Sequence, residues 1–245
     1  MIYSLLKSIT GKKKLFSILI DPENFSRKDL DHTIKIANNN NVDFILIGGS
    51  LISESLDNSI QIIKSFTRIP VLLFPGSLLQ LSEMADGILL LSLISGRNPE
   101  YLIGNHVLAA PILKKMNIEV ISTGYILVGD SKTSAVEYIS NTTPIPSHKK
   151  DIVVATALAG EMIGNQVIYL EGGSGAKTPI SPDIITAVRK NITVPLIVGG
   201  GISTEKDALN AYQAGADMIV VGNAIESKPN LIKQITKIAF QFSNV

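Results

Sequence analysis

The stretch YLEGGSGAKTP (169–179) sets the chemical question of this 245-residue chain. An apolar run ends on Tyr169, Leu170 and Glu171, and Gly172, Gly173, Ser174 and Gly175 follow with almost no side chains. Glycine lets a backbone approach a ligand closely, and a run of bare N–H groups cradles an anion. Two more glycine turns, Gly199-Gly200-Gly201 and Gly222-Asn223, also follow apolar runs. In a barrel of alternating strands and helices the last two loops often hold a phosphate. Gly200, Gly201, Gly222 and Asn223 therefore join the 169–175 stretch as a site for a phosphate monoester. The bland alternative, that glycines only permit tight turns, explains one such loop better than three on one rim.

Two other groups carry reactive side chains. Glu171 is either a structural acid paired with Lys177 or Arg189, or a general base whose pKa rises because it is desolvated beside the anion site. Tyr169 lies two residues earlier and shares its side of the strand, where it orients the glutamate, relays a proton or simply packs. Asp21, in DPEN, and Ser50, in GGS, are hard oxygen donors suited to Mg2+ with waters and phosphate oxygens. From spacing alone they serve equally well as helix caps. Their position across the barrel mouth from the glycine loops favours the metal. His32, His106 and His148 lack ligand-like spacing and read as surface or packing residues.

Positioning these groups requires strands that end together. Eight apolar runs recur, at 16–20, 44–47, 71–74, 87–91, 119–122, 166–170, 195–198 and 218–221, most followed by a helical pattern. Continuous apolar runs mark strands buried on both faces, and eight of them alternating with helices predict a (β/α)8 TIM barrel filling the chain, 1–245, as one domain. The chain also echoes itself: IPVLLFPGS with ADGILLLSL resembles VPLIVGGGI with ADMIVVGNA. From Gly76 to Asp86 is ten positions, whereas from Gly201 to Asp217 is sixteen. The third helix is therefore expected to be missing or degraded, opening a groove in the wall. Helices are expected at 27–39, 59–66, 99–116, 148–163, 182–190, 204–214 and 230–242, with a long connection at 123–147.

The bulk numbers narrow the function classes. Lys+Arg 22 against Asp+Glu 21 leave +1, with no basic field for nucleic acid, and Lys12 to Lys14 read as a solvated lead-in. Without cysteine, thiolate catalysis, disulfides and Cys-based zinc sites are excluded. The first residues lack a signal-peptide pattern, and no apolar run approaches the ~20 residues of a membrane span, so a soluble cytoplasmic protein is expected. A mean hydropathy of +0.30 also suits an apolar ligand groove.

DPEN, GGS, FPGS, GYI, YLEGGSGA, VGGGI and VVGNA, in this order on successive strands, resemble the geranylgeranylglyceryl phosphate synthases, prenyltransferases of ether-lipid synthesis. YLEGGSGA is the specific part; VGGGI or a GN turn fits many phosphate-binding barrels. The resemblance implies sn-glycerol 1-phosphate on Tyr169 to Gly175, Gly200, Gly201, Gly222 and Asn223, and Mg2+ on Asp21 and Ser50. It further implies an allylic prenyl diphosphate with its tail around Ser77, Leu78 and Tyr101, Glu171 as base, and a homo-oligomer, dimeric or hexameric, with Tyr138 as an interface aromatic. The lipid product implies transient contact with a membrane surface. Glu23 stands where the family commonly has aspartate, and SGRNPEYLIG departs from its asparagine-rich pattern, so diphosphate contacts from Arg97 or Asn98 are only suggested. Tail length stays open, a heptaprenyl-transferring relative included. An isomerase barrel would need an acid and a base on opposite rims, and the chain offers only Asp130, in a long loop. A non-catalytic prenyl-lipid binder is the remaining class.

Overall fold

In the computed structural model, residues 2–10, 12–52, 55–129 and 134–242 are described. Eight strands form a closed parallel barrel in sequence order, β1 (Leu15–Ile20), β2 (Phe44–Ile47), β3 (Val71–Leu73), β4 (Gly87–Leu93), β5 (Glu119–Leu127), β6 (Val167–Glu171), β7 (Leu196–Gly199) and β8 (Met218–Val221). Side chains alternate across each strand, and two apolar clusters result. Leu46, Leu72, Leu89, Ile121, Tyr169 and Ile197 fill the barrel, while Ile45, Val71, Ile88, Ile168, Leu170 and Val198 face the helices. The (β/α)8 expectation holds.

The helical layer comprises α2 (Arg27–Asn39), α3 (Asp57–Phe66), α4 (Asn105–Leu113), α6 (Lys150–Met162), α7 (Pro182–Arg189), α8 (Glu205–Gln213) and α10 (Leu231–Gln241). Local chemistry starts several of them: the Ser26 and Ser181 hydroxyls accept the backbone N–H groups of Asp29 and Ile184, and Thr204 forms a capping box with Asp207. Between β3 and β4 only a 3-10 turn, Leu78–Gln80, replaces a helix. The short spacing of the echo foretold this.

The echo also has a structural counterpart. Asp86 accepts the N–H of Val71 at 2.8 Å and pairs with Lys64 of α3 at 2.8 Å. Asp217 accepts the N–H of Leu196 at 2.9 Å and pairs with Arg189 of α7 at 2.7 Å. Each aspartate braces the start of the preceding strand and fastens the helix before it.

Three expectations need correction. The fifth strand continues past residue 122 to Leu127, because Thr123, Gly124 and Tyr125 pair with Val167, Ile168 and Tyr169 of β6. The long connection is correspondingly shorter and carries α5 (Ala135–Ser140), which starts with a Ser134–Glu137 capping box; Asp130 lies outside the described residues. Lys14 is not solvated with its neighbours: its side chain is 11% exposed and lies 4.0 Å from Asp217, since β1 begins immediately after it. The helix expected at 99–116 begins as a wide π turn, Glu100–Gly104, before α4.

Three short helices, α1 (Ile2–Ile9), α5 and α9 (Asn223–Ser227), had no counterpart in the sequence reading. Helix α1 lies across the N-terminal ends of the strands, where Leu6 joins the cluster inside the barrel. The N–H groups of Ile2 and Tyr3 donate to the Glu119 carboxylate at the start of β5. The floor is thereby sealed, and the C-terminal rim is the open end. No helix among the described residues is long and apolar enough to cross a membrane.

Candidate active site

A cavity of about 400 Å3 opens at the C-terminal ends of the strands. Its polar end is built from Gly173, Ser174, Gly175, Gly200, Gly201, Gly222 and Asn223. The loops after β6 and β7 lock together through bare backbone. Gly172 donates to Gly199 O at 3.0 Å, and Gly200, at φ +79°, sits so close to the Glu171 carboxylate that a Cβ there would collide with it. Glycine is required at that position by both its conformation and its neighbour.

Glu171 ends β6 inside this cavity and is 6% exposed. Burial raises its pKa from the ordinary 4.5 to about 7, against the pull of the Gly173 N–H, which donates to Oε1 at 2.8 Å, and of the Tyr169 hydroxyl. The structural alternative for this acid is not observed: Arg189 pairs with Asp217 instead. Tyr169 is wholly buried, and burial followed by the nearby Glu171 charge holds its phenol well above its usual range, so it stays protonated. Its hydroxyl has no hydrogen bond of sound geometry among the described residues. An orphaned buried hydroxyl beside a buried acid calls for a polar ligand. The Tyr169 ring stacks on Tyr125 at 5.3 Å and lies 5.3 Å from Phe74, which gives the polar end an aromatic wall.

Asp21 and Ser50 line the same cavity from β1 and β2. Asp21 does act as a cap, since its carboxylate accepts the Glu23 N–H at 3.2 Å and starts the 3-10 turn Pro22–Asn24. Ser26, not Asp21, caps α2, and among the described residues Ser50 does not cap α3, which begins at Asp57. Burial raises the Asp21 pKa, as it does that of Glu226, whose carboxylate accepts from Asn24 Nδ2 at 3.3 Å. Among the described residues no cluster of three acids or histidines offers an all-protein cage. One carboxylate and one hydroxyl leave most of a coordination shell to water and phosphate oxygens, and that donor set fits Mg2+.

Away from the rim the cavity becomes apolar, running past Leu78, Leu81, Ile88, Leu91 and Tyr101 to Ala109 of α4. Ser77, Leu78 and Tyr101 are among its walls, at the place where the helix after β3 is absent. Three members of the expected site are placed differently. Leu170 turns outward among Ile168 and Val198, so no more than its backbone belongs to the site. Arg97 donates to Ile94 O and Gly96 O and holds its own turn, and Asn98 donates to Ser140 O at the end of α5; neither lines the cavity. Tyr138 is 79% exposed on α5.

Sequence reasoning missed Glu226, His106 and Gln80. His106 lines the cavity, faces Ser92 Oγ at 2.9 Å through Nε2, and is held below its ordinary pKa by burial. It lies five residues after Tyr101, out of α-helical register, and the π turn Glu100–Gly104 brings both to the cavity.

Comparison with known proteins agrees with this geometry. The PcrB family model matches residues 7–239. Geranylgeranylglyceryl phosphate synthase of Spirosoma linguale is 46% identical over 232 residues, covering 94% of this chain and 93% of the relative. The same-named protein of Chitinophaga pinensis is 50% identical, over 91% and 88% of the two chains. The crystal structure of (S)-3-O-geranylgeranylglyceryl phosphate synthase from Thermoplasma acidophilum, in complex with sn-glycerol-1-phosphate, superimposes with a TM-score of 0.93 at 32% identity, covering 98% and 99% of the chains.

Proposed function

The chain belongs to the PcrB family, and from that premise we propose that it is a prenyltransferase of the geranylgeranylglyceryl phosphate synthase kind. It joins the 3-hydroxyl of sn-glycerol 1-phosphate to C1 of a long-chain prenyl diphosphate, geranylgeranyl diphosphate in first place, releasing diphosphate. The observation that carries this reading is one continuous cavity with a glycine-lined anion end, a buried acid in the middle and an apolar groove beyond. A polar phosphate ester and a hydrocarbon tail fit its two ends, with the acid between them.

The phosphate rests on the backbone N–H groups of Ser174, Gly175, Gly200, Gly201, Gly222 and Asn223, and this hold presents the 3-hydroxyl to the prenyl carbon. Fixing a small nucleophile against a long partner contributes much of the rate. As the C1–oxygen bond breaks, its electron pair leaves with the diphosphate and C1 becomes cationic. The hydroxyl oxygen then donates a lone pair to C1, and its proton passes to Glu171. With a pKa of about 7, Glu171 is a competent acceptor near neutrality. Tyr169, protonated throughout, donates to the bound polar substrate. The rings of Phe74, Tyr125 and Tyr169 exclude water and turn π electrons toward the developing cation. Asp21 and Ser50 would hold Mg2+, which when bound offsets the charge of the leaving diphosphate.

Product formation from labelled sn-glycerol 1-phosphate with farnesyl, geranylgeranyl and heptaprenyl diphosphates tests the reaction, with sn-glycerol 3-phosphate as control. Ether product from the 1-phosphate with one preferred tail supports the reading. No product with any tail leaves a phosphate-binding barrel and removes the prenyltransferase.

A further inference from the structure

We propose that Gln80 is a positioning residue that replaces the missing third barrel helix as the brace of the diphosphate end of the site. The inference rests on the reading of that end given above. Gln80 is 1% exposed and ends the 3-10 turn between β3 and β4. It lies behind the cavity wall rather than in it, and all its hydrogen bonds go to backbone. Its Oε1 accepts the N–H of Gly49 at 3.3 Å and of Gly76 at 3.1 Å, and its Nε2 donates to Gly49 O at 2.7 Å. One amide thus ties the loop after β2, which carries Ser50, to the loop after β3, which carries Ser77.

The two loops touch each other and Asp21. A Cβ on Gly76 would lie 2.5 Å from Gly49 O and 3.2 Å from the Ser50 Cα, and one on Gly49 would lie 2.6 Å from Asp21 Oδ2. In an ordinary barrel, a helix packed behind β3 would support these loops. Here the supporting segment is itself anchored, because the Ser82 hydroxyl donates to Asp57 at the start of α3. A leucine at position 80 would suit the apolar surroundings, but it would leave two N–H groups and a carbonyl unpaired in a buried place. Among side chains of this size, only a primary amide accepts two N–H bonds and donates to a carbonyl at once. The residue therefore fixes where the Gly49-Ser50 backbone stands relative to Asp21. The groove left by the lost helix stays open without that end of the site becoming loose.

The test uses Gln80→Met, which keeps the volume and removes every side-chain hydrogen bond, and Gln80→Glu, whose carboxyl keeps the acceptor and donates only when protonated. Hydrogen exchange by mass spectrometry and calorimetric titration are read on both and on wild type. The probes are sn-glycerol 1-phosphate alone and geranylgeranyl thiodiphosphate with Mg2+. In Gln80→Met, exchange should quicken in peptides spanning 48–52 and 74–78 and stay unchanged at 199–203. Thiodiphosphate affinity should fall about tenfold, equivalent to ~1.4 kcal/mol, while glycerol phosphate affinity stays within about twofold, because its cradle is on the other side of the barrel. Gln80→Glu should fall between wild type and Gln80→Met in exchange. Equal losses for both ligands, loosened loops with unchanged thiodiphosphate affinity, or no effect on either would overturn the proposal. Failure of the wild-type protein to bind thiodiphosphate would overturn the prenyltransferase reading and remove this role with it; the exchange data show which of the two has failed.

Discussion

Removing the charge of Glu171 should raise stability while destroying turnover, and the gain should depend on pH in a calculable way. The carboxyl has a pKa of about 7 when folded against an ordinary 4.5. Between these values the native state holds a proton that the unfolded chain has lost, so stability falls as pH rises through this window. A difference of about 2.5 units at 1.36 kcal/mol per unit amounts to ~3 kcal/mol, fully present as a penalty above pH 7 and absent below pH 4.5. Glu171→Gln keeps an oxygen to accept the Gly173 N–H and carries no charge. Urea unfolding of both proteins at pH 5 and pH 8.5, without ligand, isolates this one group from the other acids that titrate nearby. The variant should be more stable by up to ~3 kcal/mol at pH 8.5 and by only ~0.8 kcal/mol at pH 5, and its transfer rate should drop about 10²- to 10⁴-fold. A stability difference independent of pH, or a less stable variant at pH 8.5, would show that the Glu171 environment is not desolvating. Unchanged turnover would remove it as the base.

Tyr169→Phe deletes a buried hydroxyl that makes no hydrogen bond of sound geometry, so the unliganded protein should gain about 1 kcal/mol in urea unfolding while its affinity for glycerol phosphate weakens; lost stability would mean that the Glu171 carboxylate already satisfies the hydroxyl. Gly200→Ala should cost ~1–3 kcal/mol of strain and abolish phosphate binding, whereas Gly222→Ala, whose nearest neighbour lies 3.5 Å from a new Cβ at φ −112°, should fold normally. Asp21→Asn should raise the Mg2+ concentration needed for half-maximal transfer about tenfold or more without altering glycerol phosphate affinity, and chelation should stop turnover of the wild type; activity indifferent to metal would dismiss the metal site. Ile103, Val107, Leu108 and Ile112 expose an apolar face along α4 and the turn before it, and we expect a homo-oligomer; light scattering of Val107→Lys with Leu108→Glu should report a smaller species than the wild type.

Strands that are buried on both faces have no polar positions to interrupt them, which is why all eight were legible as apolar runs. The absent helix was legible for a different reason, the shortfall in length between two matching segments. Where the chain departs from these patterns, sequence reasoning ran short. Gly124 and Tyr125 resemble loop residues, yet they continue β5 because parallel pairing to β6 satisfies their backbone and the Tyr125 ring stacks inside the barrel. Helix α1 has too few residues to announce itself, and tertiary contacts with Glu119 hold it. Gly200, Gly201 and Glu171 could be placed at one rim from strand order alone, and the fold brings them together. Gln80 could not, because nothing in SLLQLSEMA says that its amide spans two loops; an isolated polar residue among leucines was the only sign.

The paired aspartate braces, Asp86 behind Val71 and Asp217 behind Leu196, make the barrel two half-barrels built to one plan. The halves have divided the work. The second has a helix after every strand and brings its last loops to the polar end of the cavity, where the proposed function puts glycerol phosphate. The first has no α-helix between β3 and β4, and the apolar part of the cavity opens at that gap, where the proposed function puts the prenyl tail. On the proposed function, lipid specificity sits where the barrel lacks a helix, and chain-length preference can vary there without disturbing phosphate recognition.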